Sequence, residues 1–160
     1  MKTLKGLNEF LSISIILALS ISAIVISIEF IKPIMEKSYD NFIINEAFSN
    51  LNSLSNTIKE ISSESQGSKR TVNIKVTKGF YVFDENTDTI NFTYNLGSDL
   101  NFSGYRDGIN ISTKNGQVYM FTKIEKIDFL NRFYLVSGSN LFSLNYDSFD
   151  GNVIKISIST

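Results

Sequence analysis

Residues 10–28, FLSISIILALSISAIVISI, run for nineteen positions without a charge, a proline or a glycine. As an α-helix rising about 1.5 Å per residue, the run covers most of a hydrocarbon core roughly 30 Å thick. Such a segment has to be taken out of water by lipid or by protein, and the rest of the chain must fold compatibly with that. Lys2 and Lys5 precede it, whereas Glu29, Lys32, Glu36 and Lys37 follow as a mixed set, so the positive bias places the N-terminus on the cytoplasmic side and everything from Lys32 onward outside. A secretory signal peptide is the rival reading, but its apolar part is typically about 7–15 residues long and ends at a small-x-small cleavage site. Ala18-Leu19-Ser20 offers such a site only inside the run. The expectation is a retained, single-pass membrane segment over about residues 10–31.

The chain has 160 residues, room for one globular domain beside the membrane segment. The roughly ninety residues beyond Gly67 suffice for a modest core. Cysteine and histidine are both absent, which removes disulfides, cysteine nucleophiles, the usual zinc sites and histidine acid–base catalysis. No acid–base pair of carboxylates and no glycine-rich phosphate loop takes their place, so the expectation is a protein that is not an enzyme and needs no cofactor or metal. A formal net charge of −1 with scattered Lys and Arg leaves no electrostatic footprint for nucleic acid.

Pro33, the chain's single proline, lacks the amide that would bond to the Glu29 carbonyl, and its ring crowds that turn. A helix kink is predicted there. The helical period then resumes, because Ile44, Phe48, Leu51, Leu54, Ile58 and Ile61 share one stripe, while Lys32 and Glu36 stand at i and i+4 on the exposed side. One helix over residues 7–62 is expected, apolar all round in its first half and one-sided in its second. The polar, flexible stretch 62–68 ends it, with Gly67 a candidate cap.

From Lys69 the period falls to two. Val72, Ile74 and Val76 alternate, as do Ile90, Phe92, Tyr94 and Leu96, then Ile109 and Ile111. Further strands are read over 117–123, 132–136, 141–146 and 153–158. Asn86, Asp107-Gly108, Asn115-Gly116, Ser137-Gly138 and Asp150-Gly151 mark turns, Asn-Gly and Asp-Gly supplying the positive φ of tight hairpins. The fold class expected is α+β: a long N-terminal helix followed, over 69–160, by an outer β-rich domain. That domain is read as a meander of seven or eight antiparallel strands, forming a sheet or sandwich with one face on the helix stripe.

Lys5-Gly6, followed by Leu7-Asn8-Glu9-Phe10 and the apolar helix, resembles the class III leader of type IV pilins, especially archaeal pilins and archaellins. The resemblance implies that residues 1–6 are a leader. A membrane-embedded aspartyl prepilin peptidase would cut it between Gly6 and Leu7 and leave the apolar helix on the mature protein. Glycine, lacking Cβ, suits entry into a protease cleft. The resemblance also implies that the helix serves first as membrane anchor and then as filament core at the cell surface, with an assembly ATPase, a platform protein and like subunits as partners. In these families a glutamate near the mature N-terminus pairs with a neighbour's terminal amine. Glu9 is the candidate for that docking role, although the cut would make it the third mature residue, earlier than the bacterial position. It can equally be read as an acid favoured by the dipole at a helix start. The β domain resembles the family by pattern only, through the polar break, a strand pair around 84–90 and a glycine-punctuated meander. Two other readings stand beside the filament subunit: a stably anchored surface protein whose β-rich domain binds a ligand without polymerising, and a minor pilin or pseudopilin.

Three acceptor sequons, at Asn91, Asn101 and Asn110, lie in the outer domain, as N-glycosylation requires. Asp84-x-Asn86-x-Asp88 has the first ligand positions of a calcium loop, but Thr89 stands where glycine is needed and the distal glutamate is missing. A polar hairpin tip explains it better. The many aromatics, from Phe80 and Tyr81 through Tyr105, Tyr119, Phe121 and Tyr134 to Phe149, are expected as core and cross-strand pairs. Carbohydrate or adhesive contact is the alternative use for them.

Overall fold

The computed structural model describes the backbone of residues 2–160 and the side chains from Glu9 onward. Packing divides the chain into two units, Met1–Ser38 and Tyr39–Thr160. A helix, α1 (Lys2–Ser62), is followed by strands β1 (Lys69–Val76), β2 (Phe80–Asp84), β3 (Thr89–Asn95), β4 (Ser103–Arg106) and β5 (Ile109–Lys114). Then come β6 (Gln117–Lys123), β7 (Ile127–Phe129), β8 (Phe133–Leu135), β9 (Gly138–Phe149) and β10 (Ile154–Ser159). The class is α+β with a β-rich head, as the change of period from helical to alternating requires.

The helix begins at Lys2 rather than Leu7 and continues through Pro33. Its later part buries Ile43, Ile44, Ala47, Leu51, Leu54, Ile58 and Ile61. Ala47, not Phe48, therefore lies on the midline of the buried stripe, and Phe48 is only partly buried at its margin, with the Arg106 guanidinium 4.9 Å over its ring. The helix ends at Ser62, whose hydroxyl donates to the Ile58 carbonyl at 2.6 Å, and the Ser63 amide closes the last turn on Lys59. Gly67 is not the cap. It stands beyond the helix with φ +91°, and its amide donates to the Tyr146 carbonyl at 2.8 Å, which sets the start of β1 against β9. The stretch 62–68 is likewise pinned rather than a free linker: Gln66 Nε2 donates to the Asp147 carbonyl and Glu64 pairs with Arg70.

The expected single meander is replaced by ten strands in two sheets, ordered β1-β9-β10-β7 and β4-β5-β6-β3-β2-β8. All pairings are antiparallel except β10 with β7, where Ile154 to Ile156 run parallel to Ile127 to Phe129. The short β4 and β7 account for the strands beyond the expected eight. Phe83 of β2 meets Phe129 of β7 and Phe142 of β9 at ring separations of 5.4 and 6.0 Å, so the inner faces of the two sheets share one core with the helix stripe. The turns Asp107-Gly108 and Asn115-Gly116 have positive φ at both residues, the geometry of the tight hairpin turn that their sequence predicts.

Candidate functional site

In the N-terminal unit every described residue from Glu9 to Met35 is exposed. Ile16, in the middle of the apolar run, keeps 63% of its surface. The helix is long and apolar enough to cross a membrane, and none of its most apolar window is buried. A helix serving as the core of a soluble domain would be covered by its own chain; this one is not. Its serines are internally satisfied. Ser14, Ser20, Ser22 and Ser27 each donate a hydroxyl to the carbonyl four residues back, at 2.8–2.9 Å. That removes most of the cost of placing a hydroxyl in hydrocarbon. Lys32 and Glu36 form the expected i, i+4 pair at 4.0 Å.

The proposed leader cut falls at Lys5, Gly6 and Leu7, whose side chains lie outside the described residues; the backbone there is helical. Glu9 is exposed and has no ion-pair partner among the described residues. Pro33 lies inside the helix, on the exposed side of the charged segment that follows the apolar run.

In the second unit the helix is fixed to the head by a set of polar contacts that the sequence reading missed. Asp40 is 1% exposed. Its Oδ1 accepts from the Tyr94 hydroxyl at 2.7 Å, and its Oδ2 accepts from the Ser98 hydroxyl at 2.6 Å and the Ser98 and Gly97 amides at 2.9 and 3.1 Å. Burial by itself raises the Asp40 pKa, but the donors from Ser98, Tyr94 and Gly97 outweigh it and hold the carboxyl below its ordinary value. Burial and the Asp40 carboxylate push the Tyr94 phenol up, so it stays protonated as a donor. Further along, Glu46 accepts from the Thr77 amide and hydroxyl at 2.8 and 2.5 Å, and Asn50 donates to the Lys75 carbonyl and the Tyr81 hydroxyl at 2.9 and 3.1 Å. The available signal was spacing. Asp40 stands four residues before Ile44 and three before Ile43, an acid at the start of an apolar stripe.

The sequons are divided by the fold. Asn101 is exposed in the loop before β4, whereas Asn91 and Asn110 sit half-buried within β3 and β5. The oxygens of the calcium-like stretch serve the β2–β3 turn and its join to β7 instead of converging. Asp84 Oδ1 accepts from the Asn86 amide at 3.0 Å, and Asp88 Oδ1 accepts from the Phe129 amide at 3.3 Å. Among the described residues no group of three or more acidic side chains could hold a metal. The aromatics also divide: Tyr81, Phe83, Phe129, Phe142 and Tyr146 are core, but Phe80, Tyr105, Tyr119, Phe121, Tyr134 and Phe149 are exposed.

One uncovered apolar helix near the N-terminus with a β domain after it fits a single-pass membrane protein. No protein family, curated protein or solved structure matches the chain.

Proposed function

We propose that the chain is a structural subunit of a surface filament of the type IV pilin-like class, cut after Gly6 and held in the membrane by its apolar helix until assembly. The observation that carries this reading is the helix that is uncovered through its first part and packed into a folded domain through its second. Such a helix can exchange one apolar surrounding for another. In the bilayer lipid covers residues 10–28; in a filament the same residues of neighbouring copies would, through close packing of side chains. A prepilin peptidase, an assembly ATPase, a platform protein and other pilin subunits are the partners implied. The back-bonded serines favour a second reading, an anchor that stays in lipid, because their donors are already used within the helix.

Intact mass of the protein from its native membrane separates processed from unprocessed chain. The mature form is expected to lack residues 1–6, and with them Lys2 and Lys5, while Gly6→Val leaves the full mass. Filaments sheared from the surface should then contain the processed wild-type chain and exclude the Gly6→Val form. A wild-type chain found only in membranes, absent from sheared material, decides for the stable anchor.

A further inference from the structure

The outward face of the six-stranded sheet carries aromatic rings that the core does not need. Strand register arranges its side chains in transverse rows. One row reads Tyr134, Val82, Asn91, Phe121, Asn110 and Tyr105 across all six strands. The next reads Phe80, Thr93, Tyr119, Ser112 and Ser103. Val82 is covered by its neighbours, but the five rings are exposed, from 38% at Tyr119 to 71% at Tyr105. On the opposite face of the same strands, Tyr81, Phe83, Ile90 and Phe92 close the core. Exposing five rings together costs solvation that a plain solvent face of Thr and Lys would avoid, which marks the patch as a contact surface.

Spacing and charge say what it contacts. Phe121 and Tyr105 are two strands apart, and so are Phe80 and Tyr119. Neighbouring strands lie about 4.8 Å apart, so the rings recur at roughly 10 Å. The strand between each pair presents a small polar group, Asn110 in one row and Thr93 in the other. Neither row contains a charged residue. In an extended β-linked hexose chain, successive pyranoses turn over, so every second sugar offers the same C–H face to one side. The ring-to-ring interval of this face is about the length of two sugars. The intervening hydroxyls both donate and accept, and amide side chains supply a partner of each kind without a charge. Asn91 gives one N–H to Thr89 Oγ1 at 2.9 Å, which leaves its oxygen and second N–H for a ligand.

We infer that the outer face of the six-stranded sheet binds an extended, uncharged β-linked polysaccharide, with Phe121 and Tyr105 stacking on alternate sugars, Asn110 bonding the hydroxyls between them and Asn91 those of the next sugar beyond Phe121. The inference depends on the head alone and stands or falls separately from filament assembly. It is tested by calorimetric titration of the full-length protein with cellohexaose, in micelles of a detergent without a sugar headgroup, since a maltoside would compete. Saturable binding is expected, weakened at least about fivefold by Tyr105→Ala and by Phe121→Ala and unchanged by Leu141→Ala, an exposed apolar residue of the other sheet. Far-ultraviolet circular dichroism confirms that each variant is folded. Absence of saturable heat overturns the inference, as does equal affinity in the ring variants. So does a dimer in sedimentation that Tyr105→Ala dissolves, because the occupant is then a second copy. A glycan mass on Asn91 or Asn110 of the native protein also overturns it, since the face would be covered by the chain's own sugar.

Discussion

Asp40 shows how one polar residue can set the position of an apolar helix. The stripe from Ile43 to Ile61, Ile and Leu except at Ala47, would partly tolerate a slide by one turn, because apolar surface would still meet apolar surface, with poorer packing. The carboxylate would not, because its two oxygens match a particular set of donors on Tyr94, Gly97 and Ser98. Asp40→Asn keeps the volume but turns an NH2 toward donors. The cost is about 3 kcal/mol, the range for losing charge-assisted bonds and leaving buried donors unpaired. All seven tyrosines lie at or after Tyr39, so thermal loss of the near-ultraviolet tyrosine signal of the full chain in micelles reads this unit. The same residue gives a pH dependence of definite sign. Its folded pKa lies below the ordinary 3.8, so the folded state binds fewer protons than the unfolded one through that interval. The contribution is complete above the unfolded value and lost as pH falls through the folded value. The wild-type midpoint should therefore drop steeply on acidification below about pH 4, and that of Asp40→Asn less so. Parallel acid profiles would remove Asp40 from this role.

At the level of elements, the hairpins were the part of the fold most legible from sequence. Asp107-Gly108 and Asn115-Gly116 signal turns whose geometry is local, so no distant contact can overrule them. β6 was bounded correctly at Gln117 and Lys123 because its alternation puts Val118 and Met120 inside and Tyr119 and Phe121 outside. The parallel joining of β7 to β10 could not be seen, since three residues, Ile127, Asp128 and Phe129, carry no period, and their partner lies far along the chain. The Asp40 site was half legible. Spacing puts the acid on the buried face, but its donors come from the end of β3 and the loop after it, more than fifty residues away. Glycines make the same distinction measurable. Gly116 has φ +72° with open space around it, so Gly116→Ala pays only for the left-handed backbone, about 1 kcal/mol. Gly79 has φ +80°, and a Cβ there would lie 2.6 Å from the Thr93 carbonyl oxygen and 2.7 Å from the Phe92 ring. Backbone of a central strand cannot retreat, so Gly79→Ala should cost at least about 3 kcal/mol, strain and overpacking together. Equal losses for the two variants, in the same tyrosine-detected unfolding, would show that β3 yields at that point.

For the whole molecule, the question is what balance of free energy keeps residues 10–28 out of water. The run holds twelve large apolar residues, from Phe10 to Ile28. At roughly 0.3–0.6 kcal/mol each for insertion into a membrane, they supply on the order of 5 kcal/mol. Five serines reduce that sum, an effect softened where hydroxyls bond within the helix, as those of Ser14, Ser20, Ser22 and Ser27 do. A lysine at the helix centre costs about 2.5–3.5 kcal/mol in addition to the isoleucine it replaces. One such change leaves the balance near zero; two reverse it. Ile16→Lys with Ile21→Lys should therefore appear in the soluble fraction after alkaline extraction of membranes, while the wild type stays in the pellet. Both positions are exposed on the helix and lie outside the Tyr39–Thr160 unit, so the tyrosine-detected melting of the head should be the same in the variant as in the wild type. If the wild type itself were released by alkali, lipid would not be what covers the helix. The apolar surface would then have to be hidden against protein from the outset.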